Sequence, residues 1–300
     1  MTEVTAAKSI VWARRRATVG DCWRLYRRDR GGVIGLVLLM LIIALALLAP
    51  VLTDQSALDV TRATGGLLHP PDGTYWLGTD ESGRSVLLLT WWGARVSLVI
   101  GLAAAALSVV IGTVVGVLAA HFGAAISALL MRFTDFFLVL PALVLAIALS
   151  TVLARGLATI ALAIGVTAWP MTARLVRAQT LTVEARPYVE RAKALGGGHA
   201  HVIGRHVLPA VLPLVLANTT LSVASAIITE STLAFLGLGD PSRVSWGSML
   251  KSAMDTGAVT GGAWWYLLPP GLSIVVVVLS FTLCGRALEA VFNPRLRGAP

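Results

Sequence analysis

Six stretches of this sequence are long and apolar enough to cross a bilayer as helices, and they limit most of what the chain can become. They cover residues 33–52, 97–120, 136–154, 156–173, 207–229 and 263–285. A hydrocarbon core of roughly 30 Å takes about 20 helical residues at about 1.5 Å each, and open backbone is not tolerated against lipid. The pattern predicts an all-α, polytopic membrane protein with six transmembrane helices. The third and fourth stretches are the shortest and are separated only by the residues around Arg155. Together they exceed one bilayer thickness, so they read as a hairpin. Composition agrees, with 56% hydrophobic and 13% charged residues, where soluble domains carry about 25% charged.

Basic residues orient the spans. Of 24 lysines and arginines, 18 lie in the amino-terminal arm, at Arg132, within 174–206, or beyond residue 285. Arg62, Arg84, Arg155, Arg243 and Lys251 fall on the other side, and Arg95 sits at a boundary. The excess predicts a multi-pass protein with both termini in the cytoplasm. The expected organisation is a basic arm over 1–32, a first anchor over 33–52 and an outer loop over 53–95. A core of five spans over 96–289 carries the inner loop 174–206, and a cytoplasmic tail covers 290–300. Stretch 33–52 follows a polar arm and ends in "APVLTDQS" rather than a small-x-small cleavage site, so it reads as an anchor. Trp91 and Trp92 precede the second stretch, and Trp264, Trp265 and Tyr266 open the sixth, as interfacial aromatics do. Gly112 and Gly116 form a GxxxG, a signal for close helix packing.

The net charge of +9 is explained by the loop arginines, and no basic folded domain with exposed aromatics points to nucleic acid. Cys22 and Cys284 belong to no CxxC pair, which argues against a disulfide or metal site. His199, His201 and His206 sit close together, with 199 and 206 on one helical face and 201 elsewhere; no local carboxylate or cysteine completes a metal set. Ionisable groups at membrane depth are functional candidates, because leaving them in lipid costs roughly 2.5–3.5 kcal/mol on insertion scales. Asp135 and Glu230 are such groups, with Arg132 one turn before Asp135 as its expected partner. Glu230 either lines a path or gate or caps a loop. Asn218 and Thr219 either face a polar pore or bond a neighbouring helix. Pro141, Pro170, Pro209 and Pro213 predict kinks in their spans. No GxxxxGK[ST], GxSxG or HExxH motif occurs, so no P-loop nucleotide site or familiar hydrolase site is expected.

The inner loop contains "YVERAKALGGGHAHVIGRHVLP". Pro187 near a helix start, strong helix formers and a Gly196–Gly198 stop predict one short helix, followed by a second over 199–206 that leads into the fifth span. This loop resembles the E-A-A-x3-G-x9-I-x-L-P signature of permease subunits of binding-protein-dependent ABC importers. Glu190, Ala192, Gly196, Leu208 and Pro209 match, whereas Arg191 replaces the second alanine and His206 the isoleucine. "WLGTDESGRSVLLLTWWGARVSLVIG", "RFTDFFLVLPALVLAIAL" and "ESTLAFLGLGDPSRVSWGSML" are similar, in the same order, to segments of the peptide/nickel branch. Among its members the chain is most similar to the C-type permease subunits of dipeptide and oligopeptide importers.

The resemblance implies that 184–200 contacts a separate ATPase through a coupling helix, with Glu190, Arg191 and Lys193 offering charges and Ala192, Ala194 and Leu195 an apolar face. It implies a bacterial cytoplasmic membrane, a homologous second permease subunit, and two ATPase subunits or a fused one. It also implies an extracytoplasmic solute-binding protein and a peptide substrate. No cofactor is expected in this chain, since ATP and Mg²⁺ would belong to the ATPases, and no bond chemistry is assigned to it. Segments 78–84 and 236–250 would shape the outer mouth and meet the binding protein or the second permease. One alternative keeps the family but changes the cargo to a nickel chelate, an opine, glutathione or another small solute. Another is an ion-coupled secondary transporter using Asp135 or Glu230 as proton carrier.

Overall fold

The computed structural model describes residues 20–292. The expected arm and tail therefore lie partly outside the described residues, with Lys8, Arg14, Arg15, Arg16, Arg295 and Arg297 among those not described. The helices are α1 (Arg30–Leu52), α2 (Val86–His121), α3 (Ala124–Val139), α4 (Ala142–Val152) and α5 (Leu157–Glu184). They continue as α6 (Pro187–Ala194), α7 (His199–Phe235), α8 (Trp246–Asp255) and α9 (Trp264–Phe292). A single bridge, Thr79 with Ser85, is the only β pairing among the described residues.

Five helices are long and apolar enough to span a bilayer, and the pair α3 and α4, bent by 85°, makes a sixth crossing when counted as one broken span. The kink expected at Pro141 is therefore a full break. Proline lacks an N–H and pushes the residue before it out of the helical region, and Leu140 is extended at φ −76° and ψ 130°. The third expected stretch, 136–154, straddles this break, and its helix starts earlier, at Ala124. The other spans also outrun their apolar stretches. α2 begins at Val86, so Trp91 and Trp92 lie inside it instead of preceding it. Their indole N–H groups donate to α1 and its exit, Trp91 to the Leu45 carbonyl and Trp92 to Thr53 Oγ1 at 2.9 Å. The two rings thus pin the first anchor to the core.

The most extensive pairing joins α2 to α5, and α9 packs on both α1 and α7. Glycine makes the α2–α5 approach possible. A Cβ on Gly112 would lie 2.6 Å from Thr172 Cβ, and one on Gly116 would lie 2.6 Å from the Ala173 carbonyl oxygen. One core cluster gathers Leu98, Ile100, Ile160, Ile164, Ile227 and Phe281. A second, of valines including Val117, Val176, Val183, Val189 and Val202, closes the end of the bundle that carries the arginine-rich loop. That end is called here the basic end, and the opposite one the far end.

The inner-loop helices differ from expectation in one respect. Instead of a separate helix over 199–206, α7 runs unbroken into the fifth span through a π-turn at Ile203–Val207, where the Leu208 N–H donates to the Ile203 carbonyl. Pro209 and Pro213, just beyond, remove two helical donors, and the wider turn takes up the mismatch.

Gly112→Val forces a β-branched side chain into the α2–α5 contact and should destabilise the fold by about 1–3 kcal/mol. Thermal unfolding of the purified protein in detergent should show a lower midpoint. Gly271→Ala, where an added Cβ meets nothing within 4 Å, should leave it unchanged or slightly raised.

Candidate functional site

The far end is a built structure. In segment 78–84, Asp80 is fully buried, and its Oδ1 accepts the backbone N–H groups of Ser82 at 2.9 Å and Arg84 at 2.8 Å. Its Oδ2 pairs with the Arg84 guanidinium at 2.7 Å. Trp265, at the start of α9, donates to the Thr79 carbonyl at 3.3 Å and anchors this loop to the bundle. Segment 236–250 leads into α8 through a capping box made by Ser245 and Ser248. Trp246 is buried and donates to the Thr90 carbonyl at 2.9 Å. Outside the spans, a hydrogen bond from the Ser242 hydroxyl holds the Asp240 carboxyl below the usual carboxylate range.

Between the ends lies a half-open cavity of about 360 Å³ lined by α2, the α3–α4 break, α5 and α7. Ser108, Thr167 and Thr172 line one side, and Asn218, Ser222 and Ser225 the other, with no charged residue in the lining. Positions 218, 222, 225 and 229 share one face of α7. Asn218 Nδ2 donates to Thr172 Oγ1 at 3.2 Å, so this residue both lines the cavity and ties α7 to α5. Thr219 instead bonds its own helix at the Val215 carbonyl.

The two carboxylates stand elsewhere. Asp135 pairs with Arg174 of α5 at 2.6 Å, not with Arg132 of its own helix as expected, and both side chains of the pair are about half exposed. The sequence logic of one helical turn missed a partner 39 positions away. Glu230 is 0% exposed and does not line the cavity. It is wedged where α2, α7 and the start of α8 meet, with Ser97, Ser231 and Ser245 as neighbours. Ser231 Oγ donates to its Oε2 at 3.3 Å, and Oε1 has no hydrogen-bond partner among the described residues.

At the basic end, α6 begins with Pro187 at its first turn, where a missing N–H costs nothing. It ends in a Schellman motif. The Gly197 N–H donates to the Ala192 carbonyl at 2.9 Å and the Gly196 N–H to the Lys193 carbonyl at 3.0 Å, with Gly196 at φ +83°. One side of the helix is fixed, since Val189 is fully buried in the valine cluster and Ala192 is half-buried. Tyr188, Glu190, Arg191, Ala194 and Leu195 are exposed, the last at 82%. Leu208 and Pro209 are exposed at the start of the span proper. Arg191, a departure from the signature, adds a charge to the open face. His206, the other departure, is half-buried and packs against Tyr188 and His201 at ring distances of 6.1 and 5.6 Å. The π-turn thus pairs His206 with His201, correcting the expectation that 199 and 206 share a face.

His199 turns instead to a residue that sequence reasoning did not single out. Its Nδ1 lies 2.8 Å from His121 Nε2, and His121 Nδ1 bonds Glu184. Glu184 Oε2 also accepts from Lys193 Nζ at 2.9 Å. Neither His121 nor Glu184 belongs to any motif, and their separation of 63 positions hides the pairing from a linear reading. No cluster of three or more potential metal ligands forms among the described residues.

Apolar spans around an uncharged, partly polar cavity define a polytopic all-α membrane protein. The family model described as binding-protein-dependent transport system inner membrane component matches residues 112–298, and the one described as the N-terminal TM domain of oligopeptide transport permease C matches 19–71. A dipeptide transport system permease protein of Bacillus subtilis is 34% identical over 92% of this chain and 86% of its own. An oligopeptide transport system permease protein of that organism is 34% identical, covering 92% and 90%. A di/tripeptide transport system permease protein of Pseudomonas aeruginosa is 36% identical, with 93% of each chain covered. The chain belongs to the family of binding-protein-dependent transport system inner membrane components, as a multi-pass protein of a bacterial transport system.

Asp80→Ala leaves the Arg84 guanidinium without its buried partner and two backbone N–H groups without acceptors. Breaking such a pair costs about 3–5 kcal/mol. Limited proteolysis from the far side should cut within 65–85 much faster than in the parent protein, while α6 keeps its parent cleavage rate.

Proposed function

We propose that this chain is the permease subunit of an ATP-driven importer that carries dipeptides and oligopeptides across the bacterial cytoplasmic membrane. The basic end faces the cytoplasm, as the lysine and arginine distribution indicates. A second, homologous permease completes the path, two ATPase domains sit beneath, and a solute-binding protein delivers peptide from outside. Residues 184–200 form the ATPase contact, with Leu208 and Pro209 marking where force enters the fifth span. The observation that carries this reading is the short exposed helix α6. It presents Glu190, Arg191, Ala194 and Leu195 to solvent while Val189 and Ala192 grip the bundle. Leu195, 82% exposed, and the Arg191 guanidinium are left on this open face, available to a partner protein.

A zwitterionic peptide cannot cross hydrocarbon unaided. The cavity at Asn218 offers hydroxyl and amide groups that can exchange hydrogen bonds with a peptide backbone. Its uncharged lining leaves side-chain charge unselected, which suits a carrier of mixed peptides. ATP binding draws the ATPases together, the loop moves with them, and the cavity opens outward; hydrolysis resets it. The proton-carrier alternative loses its support because Asp135 is engaged by Arg174 and Glu230 does not line the cavity.

The complete importer reconstituted in vesicles should take up dipeptide only with ATP and the ATPases. Gly196→Val forces a β-branched residue into a left-handed conformation and should lower uptake per ATP hydrolysed at least tenfold. Gly196→Asn, whose side chain tolerates that conformation, should retain most of it. Uptake that persists without ATPases and collapses with a protonophore would overturn the proposal in favour of ion coupling.

The path assignment has its own check. With Cys22 and Cys284 replaced, Ser225→Cys should react with a charged, membrane-impermeant thiol reagent in the assembled complex, and saturating dipeptide should slow that reaction. Leu216→Cys, on another face of α7, should stay unreactive.

A further inference from the structure

The four groups joined at the basic end stand at the ends of four helices. His121 is the last residue of α2, Glu184 the last of α5, Lys193 lies in the final turn of α6, and His199 is the first of α7. His121 is 2% exposed at its side chain and Glu184 12%, so water competes little for the bond between them, while Lys193, 44% exposed, and the exposed His199 reach that pair from the surface. The donors and acceptors close in one consistent direction. With His121 neutral and its proton on Nδ1 facing one Glu184 oxygen, its Nε2 is free to accept from the His199 Nδ1–H, and Lys193 Nζ donates to the other Glu184 oxygen. Glu184 is the single acceptor on which both arms end. The Phe122 ring packs against both histidines, at 5.1 and 5.2 Å, and holds the imidazole planes in place.

We propose that the Glu184-centred chain His199–His121–Glu184–Lys193 is a polar buckle that makes α6 move as one body with α2, α5 and α7. Glu184 is its positioning residue. The inference rests on the reading of α6 as the ATPase contact and adds to it the route by which displacement reaches the spans. The geometry requires such a route. The only fully buried side chain of α6 is Val189, and an apolar contact of this kind resists separation but allows sliding and rotation. Lys193 lies one turn beyond Val189 on the same helix, and its ion pair supplies a second, directional point of attachment. Two points fix an orientation where one does not. Because α7 starts at His199 and continues without interruption into the fifth span, a push on α6 that reaches His199 reaches the cavity wall at Asn218.

The test uses the assembled importer with Cys22 and Cys284 replaced. Spin labels at Leu195→Cys on the open face and at Val114→Cys on an exposed side of α2 report the spread of distances between them by pulsed electron resonance. Uptake per ATP is measured on the same preparations without labels. Glu184→Ala should at least double the width of the distance distribution and cut uptake per ATP about tenfold, with the amount of assembled complex unchanged. Lys193→Ala should broaden it less, and the double variant should be no worse than Glu184→Ala alone, because both act through one bond. Glu184→Gln, which keeps an acceptor, should recover part of the loss. An unchanged width in Glu184→Ala overturns the buckle, and so does strict additivity of the two alanine variants. A broadened distribution with full uptake per ATP overturns its role in transmission. Failure of the ATPase-contact reading has a separate signature, since Gly196→Val would then leave uptake per ATP unaltered whatever the distances show.

Discussion

A peptide N–H or carbonyl left without a partner in hydrocarbon costs several kcal/mol, and the whole architecture follows from avoiding that. Every crossing must be a closed helix, so the chain has little freedom except at helix ends and at breaks that something else covers. The one large break, between α3 and α4, falls at Leu140–Pro141, where proline has already removed a donor. The other irregularity, the π-turn at Ile203–Val207, sits at the basic end just before Pro209 and Pro213. Both deviations mark where the bundle is not simply parallel rods, and both flank the candidate sites: one borders the cavity, the other joins the basic-end loop to the fifth span.

With helices obligatory, side chains decide how they assemble. Water exclusion gives no preference between apolar helix faces in lipid, so close approach and polar ties carry the specificity. The α2–α5 contact depends on Gly112 and Gly116, and α7 is joined to α5 by Asn218 and Thr172. At the far end, Asp80, Trp246 and Trp265 fix loops that would otherwise expose backbone. At the basic end, the valine cluster and the Glu184 bonds do the same for α6. The cavity is left as the part of the interior where hydroxyls face open space.

How much of this was legible beforehand depended on sequence distance. The six crossings follow from local apolar content, and the Schellman ending of α6 follows from strong helix formers running into Gly196 and Gly197. Resemblance to a known loop signature pointed to α6 without any knowledge of its packing. Helix ends were misjudged because hydropathy records where lipid stops, whereas α2, α5 and α7 continue beyond it on hydrogen bonds and tertiary contacts. The partner of Asp135 was misassigned because intrahelical spacing is visible in a sequence and Arg174 on another helix is not. His121 and Glu184 were invisible for the same reason, each being unremarkable until the fold brings their helix ends together.

The position of these polar ties relative to the cavity bears on how force could travel. A helix in lipid is stiff along its axis, since each residue is held by hydrogen bonds that water does not contest. Displacement at one end therefore arrives at the other unless a break absorbs it. α7 passes from the exposed loop to the cavity wall with only a π-turn between, whereas α3 and α4 are uncoupled by an 85° bend. On the proposed reading, a push at the basic end is directed along α7 and, through the α2–α5 contact, along two further walls of the cavity, whereas the bend interrupts the fourth. Three continuous walls and a fourth broken at Leu140–Pro141 leave the break as the place where such a compartment can change shape while the other helices keep theirs.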